Sequence, residues 1–584
     1  MDLMRSERAP AYRRGPRPSR REGSQACGRP STGVREPVVS IPRPPPRRTG
    51  LPAIHQVLPR LAWGDAVGNQ VRYLQGLLRR WGHASEIYAD AWDDACKDQV
   101  RPMRDSAREA DRDAVLLVHH SFESRMVPRI AKSPGRKVLV YHNVTPARLF
   151  EGFERKVAAA CDAARDELLA LRPHVEAAFA YSRFSAEELV AAGYPNVAVL
   201  PFAIDWAAFD TAPDPALQAE LDDGMSNILF VGRAVPSKKV DDVLRVFTAY
   251  QRLYQPRSRL VVAGYLHRDG AYGAYLHGLK DVLGAEQVRF LGRVSAAQLS
   301  ACFATASAYL SMSRHEGFGV PLLEAMYRGV PVVAYGAAAL PETMGGAGLA
   351  TRSDEPREVA KLLAVLDRNA GLRAQVITAQ RERIAELSQE AVAEQVRVAF
   401  EDICSSTAPR PPVATTTTAT VELVCPGFTV RPEEPASRLA RRVAERLPGA
   451  RVLALRPWGE DASLTLEPIS DDGVAVTHFT PDQPVDSNPR TALPGSSAME
   501  TAVRASSAPV VLLSADTVSA QTLLPHVSAR AWGVCAPASQ SALLASAQEH
   551  LGDRLVVEEP AQVETALQAL LTTLASTGVL PRAT

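Results

Sequence analysis

The sequence has few of the features that mark membrane-spanning, secreted or nucleic-acid-binding proteins. No apolar run approaches the roughly 18 residues that a helix needs to cross a bilayer, and the N-terminus has no apolar signal segment. The formal net charge is only +1, from 66 Lys and Arg against 65 Asp and Glu, so the chain as a whole lacks the basic excess of a nucleic-acid binder. We therefore expect a cytoplasmic protein that binds no nucleic acid, with peripheral contact at the inner membrane face left open.

Cysteine is scarce, and its spacing is not that of a metal site. The seven cysteines are odd in number, far apart and free of CxxC or His-paired spacing, which favours reduced thiols in the cytosol. The one Asp-x-Asp, Asp111 to Asp113, precedes a predicted strand instead of following it, so we interpret these aspartates as solvated. No metal site is therefore expected.

Length and composition predict several domains. A chain of 584 residues is too long for one hydrophobic core. Its first 50 residues are rich in Arg and Pro without apolar periodicity, which predicts a disordered tail that is either a solvated extension or a segment touching anionic lipid or nucleic acid. A later Pro-, Ser- and Thr-rich stretch reads as a linker. The predicted division is a tail at 1–50, an α/β half at 51–222, a second at 223–404, a linker at 405–420 and an additional α/β domain at 421–584.

Apolar runs that alternate with helices predict a parallel sheet in the first half. The run AIHQVLP is followed by the turn WGDAVGNQ and by a helix with Val71, Leu74 and Leu78 on one face. This turn lacks the full GxGxxG spacing, so a dinucleotide is not expected. Its glycines, Gly64 and Gly68, either form the turn or let a ligand phosphate approach the backbone. The pattern indicates a Rossmann-like half.

Polar residues follow two later runs of this half. His119, His120 and Ser121 end the run AVLLVHHS, and His142 and Asn143 end KVLVYHN. Ligands of such sheets bind beyond the carboxyl ends of the strands. A histidine at one strand end is commonly structural or solvated, whereas two ends that converge on one crevice favour a role in binding.

The pattern restarts near residue 224 with NILFVGR, the loop AVPSK and the helix KVDDVLRVFTAY. Arg233 and Lys238 lie on that loop. They are either solvated charges or a pair that neutralises a pyrophosphate. Further runs complete a second Rossmann-like sheet: RLVVAG, VRFLGRV, SAYLSMS and PVVAYG.

The stretch SRHEGFGVPLLEAM sets Glu316 and Glu324 eight positions apart. Pro321 predicts the start of a helix, whose free amides beside the glycines form a natural phosphate seat. Glu324 then lies in the first turn, where it either compensates the helix dipole or accepts hydrogen bonds from sugar hydroxyls. Between the two glutamates lie Gly317, Phe318 and Gly319.

The segment EGFGVPLLEAMYRGVPVVAY resembles the donor-site signature of retaining family 4 glycosyltransferases. The runs HQVLP, HHS and YHNVTPARLF resemble one bacterial subgroup of that family, and the resemblance covers roughly residues 52 to 403. It implies a GT-B fold, in which two Rossmann-like halves face a cleft. It also implies transfer of a sugar from a nucleotide-sugar donor, a substrate and not a cofactor, to a glycan or lipid-linked acceptor with retention of anomeric configuration. Such bacterial relatives commonly build polysaccharide.

The same resemblance implies roles for individual residues. Arg233 and Lys238, in VGRxxxxK, are expected to bind the donor diphosphate, which removes the need for a divalent ion. Glu324 is expected to bind the ribose, and Glu316 and His120 to orient the donor sugar and stabilise charge. His119 is expected to be directed away, because neighbouring strand residues point to opposite faces. The remaining donor-site candidates are Gly64, Gly68, Gly317, Phe318 and Gly319.

The last part of the chain predicts a degenerate Rossmann-like domain. It repeats the α/β pattern but has no glycine turn, histidine pair or paired glutamates, so we expect a packing or interaction module. The sequence does not indicate an oligomeric state. Two other functions share this architecture: a GT-B-type nucleotide-sugar epimerase or phosphorylase, and a non-catalytic nucleotide-sugar-binding scaffold. The runs of this last domain are VELVCPG, RVLALRP, PVVLLSA, RAWGVCA and RLVVEEP.

Overall fold

A computed structural model of the protein shows three α/β units. The tail 1–50, nearly all of the linker, Asp111 and the run RLVVEEP lie outside the described residues, so the predictions for them stay predictions. The structure describes residues 51–109, 113–405, 421–425, 427–430, 435–447, 450–456, 469–471, 474–485, 495–506, 508, 510–513 and 531–534.

The first half is a seven-stranded parallel sheet covered by helices. Its strands are β1 Ile54–Leu61, β2 Ile87–Trp92, β3 Arg101–Pro102, β4 Val115–His120, β5 Arg136–Tyr141, β6 Ala177–Ala180 and β7 Val197–Val199. Its helices are α1 Ala66–Arg80, α2 Met103–Glu109, α3 Val127–Lys132, α4 Arg155–Leu171 and α5 Arg183–Ala191. The strand order β3-β2-β1-β4-β5-β6-β7 is Rossmann-like.

Helix α1 forms as its sequence predicts. The Asp65 carboxylate caps the helix by accepting a hydrogen bond from the Gly68 amide. Val71, Leu74 and Leu78 are buried on one face of the helix. Burial of this apolar stripe against the sheet is the main driving force for the packing.

The second half repeats the same plan. Its strands are β8 Ser226–Val231, β9 Ser258–Ala263, β10 Val288–Gly292, β11 Ala306–Ser311, β12 Val332–Tyr335 and β13 Leu349–Thr351. The sheet is parallel, in the order β10-β9-β8-β11-β12-β13. Its helices are α6 Pro215–Leu221, α7 Val240–Leu253, α8 Ala271–Val282, α9 Ala296–Ala304, α10 Val320–Tyr327, α11 Leu340–Met344, α12 Pro356–Arg368, α13 Ala370–Glu386 and α14 Gln389–Ser405.

Helix α14 follows the second half in sequence but shares a core with the first. Its buried apolar residues lie in one cluster with residues of both sheets. The ring of Phe400 packs edge to face on that of Phe179, with centroids 5.6 Å apart. Beside this helix the Trp206 indole donates a hydrogen bond to the Leu387 carbonyl at 3.0 Å. The two halves are thus joined by a common core, and the architecture is the GT-B fold that the sequence predicts.

The described part of the chain after the linker forms a third domain. Its strands are β14 Val421–Val424, β15 Ala450–Leu455, β16 Ile469–Asp471, β17 Val474–Phe479, β18 Val510–Leu512 and β19 Ala531–Val534. Its helices are α15 Gly427–Val430, α16 Pro435–Arg446 and α17 Ser497–Ala505. The sheet has the order β16-β17-β15-β14-β18-β19. Apart from β16, which pairs antiparallel at the edge, the sheet is parallel and follows the order of the other two. Strands β16 and β17 were not predicted from the sequence.

Among the described residues, no helix combines the length and the apolar character that crossing a bilayer demands.

Candidate active site

Lys238 and Glu316, predicted as ligand-binding residues from separate segments, form an ion pair. Nζ of Lys238 lies 2.6 Å from Oε2 of Glu316, and the two side chains are only 20% and 16% exposed. Lys238 ends the 3-10 turn that follows β8, and Glu316 lies in the loop after β11. Because β8 and β11 are parallel neighbours, their carboxyl ends meet at one edge of the sheet. This edge is where a ligand of the second half would bind.

Helix α10 carries Glu324, but the prediction of its start was off by one residue. The helix begins at Val320, with Gly319 as N-cap at φ +96°, and Pro321 is its second residue. Glu324 is therefore the fifth residue and lies beyond the first turn, where dipole compensation is weak. It is 7% exposed and 3.3 Å from the Arg328 guanidinium.

The environment of Glu324 is unusual for a carboxylate. Burial raises its pKa to about 7, and the ion pair with Arg328 only partly opposes the rise. A carboxylate can accept about four hydrogen bonds. The donor that the structure records for the Glu324 carboxylate is the Arg328 guanidinium. This side chain thus retains capacity to accept hydrogen bonds from hydroxyl groups.

Gly317 brings the Glu316 loop against the first half. A Cβ atom added there would lie 2.8 Å from the His142 carbonyl oxygen and 3.0 Å from the Asn143 side chain. The Gly317 carbonyl accepts a hydrogen bond from the Ser182 hydroxyl at 3.2 Å. Next to it, the Phe318 ring stacks on Phe202 of the first half, with centroids 5.2 Å apart. The two halves therefore touch at the candidate site.

Glu342 makes a further contact between the halves. Its two carboxylate oxygens accept hydrogen bonds from the Arg183 backbone amide, at 3.0 and 2.8 Å. Arg183 is the first residue of α5, where an amide has no intrahelical partner and favours an anion. Glu342 had no predicted role, because only the fold brings it to this helix terminus.

The orientation predicted for the histidines of β4 was wrong. His120 is completely buried and its Nε2 donates to the Ala164 carbonyl on α4, at 2.9 Å. His119 instead contacts His142, with 2.8 Å between Nδ1 and Nε2. The two residues do point to opposite faces, as strand geometry requires, but the face that leads to the second half is that of His119. We therefore withdraw His120 as a contact to the donor sugar.

His142 belongs to the first half and lies where its loop meets the second half, at Gly317. The hydrogen bonds around His119 assign the tautomer of His142. The Gln56 side-chain nitrogen donates to the Val71 carbonyl, so the Gln56 Oε1 atom faces His119 and accepts from its Nε2 at 3.0 Å. His119 then accepts at Nδ1 from His142 Nε2, which leaves His142 Nδ1 as an acceptor. Burial and the two neighbouring histidines hold the pKa of His142 well below its usual range. The ring is therefore neutral.

A buried ion pair supports the loop that carries His142. Arg165 Nε lies 3.0 Å from Glu188 Oε1, and each side chain is 1% exposed. Arg165 also donates to the Val144 carbonyl, and the Tyr141 hydroxyl donates to Glu188 while accepting from the Val144 amide. Loss of either charge would leave the other buried without compensation. This network fixes the loop from beneath.

Arg233 and the glycine turn lie on opposite sides of the cleft. Arg233 is exposed, and its guanidinium, with that of Arg72, opposes the rise in the pKa of Asp65 that burial causes. Gly64 has φ +77°, and a Cβ at Gly68 would collide with the Ala62 carbonyl. The turn itself thus requires both glycines, and their contact with a phosphate stays a prediction.

Within the part of the chain that the structure describes, no three His, Cys, Asp or Glu side chains are grouped closely enough to hold a metal ion.

Residues 218–383, which contain this second-half site, match the family model described as glycosyl transferases group 1. This segment, the group 1 domain, is thus similar to glycosyl transferases of group 1. It includes Arg233, Lys238, Glu316 and Glu324 but neither the first half nor the third domain.

Curated relatives of the chain include bacterial glycosyltransferases. The O-antigen chain mannosyltransferase B of Escherichia coli is 31% identical over 138 residues, which are 23% of this chain and 34% of the relative. The D-inositol 3-phosphate glycosyltransferase of Stackebrandtia nassauensis is 29% identical over 225 residues, 37% of this chain and 51% of the relative. The chain thus spans about a third and about half of these two relatives.

Solved structures with a similar course of the chain include HepE of Anabaena, in complex with UDP and glucose. It is 16% identical, with a TM-score of 0.48, and the match covers 60% of this chain and 99% of that chain. The match to WaaG, a glycosyltransferase involved in lipopolysaccharide biosynthesis, has 14% identity and a TM-score of 0.46 over 60% of this chain.

Proposed function

We propose that the protein transfers a sugar from a nucleotide-sugar donor to a glycan or lipid-linked acceptor, with retention of anomeric configuration and without a metal ion or cofactor. The observation that supports this best is the Lys238–Glu316 ion pair at the N-terminal end of α10, inside the group 1 domain. A cation, a carboxylate and free helix amides at one strand edge suit the diphosphate and the hydroxyls of such a donor.

The donor diphosphate would lie against Lys238, Arg233 and the first amides of α10. Lys238 is paired with Glu316 in this structure, and a diphosphate offers the ammonium group a stronger anionic partner. Glu316 would then accept hydrogen bonds from hydroxyls of the donor sugar. Glu324, buried one turn into α10, would accept from the ribose.

Retention needs no protein nucleophile when the acceptor attacks on the face that the leaving group departs from. The bond between the anomeric carbon and the phosphate oxygen breaks as the bond to the acceptor oxygen forms. The proton of the acceptor hydroxyl passes to the departing diphosphate. In this scheme Lys238 and Arg233 stabilise the charge on the leaving group, and neutral His142 accepts a hydrogen bond from a sugar hydroxyl through Nδ1.

The relatives suggest which donors to test first. One is named as a GDP-mannose-dependent phosphatidylinositol monomannoside mannosyltransferase of Mycolicibacterium smegmatis, and another as the O-antigen chain mannosyltransferase. We infer a role in bacterial polysaccharide or glycan synthesis, carried out in the cytoplasm at the inner membrane face.

A thermal-shift screen of nucleotide sugars tests donor binding. GDP-mannose, UDP-glucose and ADP-glucose are compared at about a hundred times the expected Kd, where binding stabilises the folded state by about 2.7 kcal/mol. One of them is expected to raise Tm by roughly 5–10 °C. The product formed from that donor is then examined by NMR for the configuration of its anomeric carbon.

Two variants connect the activity to the site. Glu324→Ala is expected to lose nearly all transfer and donor hydrolysis, because the ribose hydroxyls lose their acceptor. Glu358→Ala removes an exposed glutamate in the first turn of α12 and is the matched control. Equal rates for Glu324→Ala and the wild type would refute the site assignment, and inversion at the anomeric carbon would refute the retaining mechanism.

A further inference from the structure

The third domain is docked on the first half through buried ion pairs. Arg148, 8% exposed at the side chain, pairs with Asp482 and lies 2.8 Å from Glu500. Arg456 of the third domain lies 2.8 Å from Glu187, which is completely buried. Buried charges with matched partners fix the geometry of an interface, since breaking one pair leaves an uncompensated charge.

Asp482 lies in a segment that is held on several sides. Its carboxylate accepts hydrogen bonds from the Ser497 amide and hydroxyl, at 2.9 and 3.0 Å, in addition to the ion pair with Arg148. Two residues earlier, the Thr480 amide donates to the Glu187 carboxylate at 3.2 Å. The backbone of this segment is therefore fixed relative to the first half.

Asp482 also contacts the second half, through its backbone carbonyl. The Asp482 carbonyl accepts a hydrogen bond from the Ala338 amide at 2.8 Å. Ala338 has φ +51°, a conformation that is unfavourable for an L-residue and persists where neighbours enforce it. The next amide, that of Ala339, donates to the Glu316 carbonyl at 3.3 Å. A short chain of hydrogen bonds thus runs from Asp482 to the backbone of Glu316.

Arg148, the ion-pair partner of Asp482, connects the third domain to the His142 loop of the first half. It lies in the 3-10 turn Ala147–Leu149, which ends the loop that begins with His142. Asp482 is therefore tied by its side chain to the loop of His142 and by its backbone to the loop of Glu316. Both walls of the candidate site are held by one residue of the third domain.

We propose that Asp482 is a positioning residue, through which the docked third domain holds the Glu316 loop against the His142 loop. The third domain is then part of the working site and not a separate module. The inference concerns the position of the two loops, and it rests on the proposed function only in that these loops would bind the donor.

Hydrogen–deuterium exchange of the full-length chain tests the proposal without any ligand. Asp482→Ala removes the anchor of the segment, and exchange is expected to rise about tenfold in peptides covering residues 313–319 and 336–340, as for loss of one hydrogen bond. Arg504→Ala is the matched control, because Arg504 also docks the third domain, through Asp162 and Asp166 on α4, but has no contact with these loops among the described residues. Its exchange in both peptides is expected to equal that of the wild type.

Asp482→Asn provides a second comparison, because it keeps the size of the side chain and is expected to give a smaller rise than alanine. It carries the test should the alanine variant not fold. Unchanged exchange in both Asp482 variants, or an equal rise in Arg504→Ala, would overturn the proposal. Absence of transferase activity would leave this comparison intact, so that the two proposals fail separately.

Discussion

Replacing Glu324 by Gln should change how the stability of the protein depends on pH. Burial raises the pKa of this carboxyl from 4.5 to about 7. Because the folded-state pKa lies above the unfolded one, the folded state holds a proton that the unfolded state releases as pH rises from about 4.5 to 7. At 1.36 kcal/mol for each pKa unit, the wild type loses roughly 3 kcal/mol over this window. Glutamine is neutral throughout and can still accept from Arg328, so Glu324→Gln is spared that loss.

The assay is thermal unfolding of wild type and Glu324→Gln at pH 5 and pH 8. The Tm of the variant minus the Tm of the wild type should be roughly 5–10 °C more positive at pH 8 than at pH 5. Glu358→Gln, at an exposed position of α12, is the control and should follow the wild type at both pH values. A difference between wild type and Glu324→Gln that is the same at pH 5 and pH 8 would show that burial does not perturb this carboxyl.

Three further substitutions test the contact between the halves, the docking of the third domain and the contact to the donor diphosphate. Gly317→Ala should lower the free energy of unfolding by about 1–3 kcal/mol, because the added Cβ would meet the His142 carbonyl. Gly278→Ala, at an exposed helix position with open space, is the control and should not lower it. Thermal unfolding compares the two variants. Arg148→Ala strands two buried carboxylates and should cost about 3–5 kcal/mol, seen as a lower Tm and faster proteolysis of the third domain, whereas a Tm within 2 °C of wild type would contradict the buried pairing. Lys238→Met should weaken binding of GDP or UDP by roughly 10–100-fold in calorimetry, and unchanged affinity would exclude a contact to the diphosphate.

Hydrophobic pattern was sufficient to predict the central strands of the two Rossmann-like sheets but not the short edge strands β3 and β13. Central strands such as β8 and β9 are buried on both faces, so they appear in the sequence as continuous apolar runs such as NILFV and RLVVA. Strand β17 was missed because it alternates more and follows the short antiparallel strand β16 instead of a helix. A pattern of βα repeats gives no warning of such an inserted strand.

The site was predictable where its chemistry is local and not where it depends on orientation. Lys238 and Glu316 carry spacing that a sequence reveals, and the structure pairs them. His119 and His120 are adjacent and of one residue type, so the sequence indicates that they face opposite ways but not which face is covered by α4. The roles of the donor-site residues toward a ligand stay predictions.

The contacts of the third domain were outside the reach of sequence reasoning for a different reason. Arg148 and Asp482 are separated by 334 positions, and each taken alone is an ordinary charged residue of a loop. Only the docking of one domain on another turns them into a buried pair. Long-range polar contacts of this kind have no periodicity by which a single sequence could reveal them.

The return of α14 to the first half determines how the cleft can open. The chain passes between the halves twice, once after β7 and once between α13 and α14, and these crossings are joined where Trp206 donates to Leu387 and Gln389 to Asp205. Two adjacent covalent connections define a hinge axis, so the halves can rotate about one line but cannot slide apart. Such a rotation would leave the Trp206 contact in place, but it would separate Gly317 from His142 only if the hydrogen bond from Ala338 to Asp482, which ties the third domain to the second half, also breaks. Entry of a donor and release of its diphosphate would then depend on the third domain as well as on the hinge.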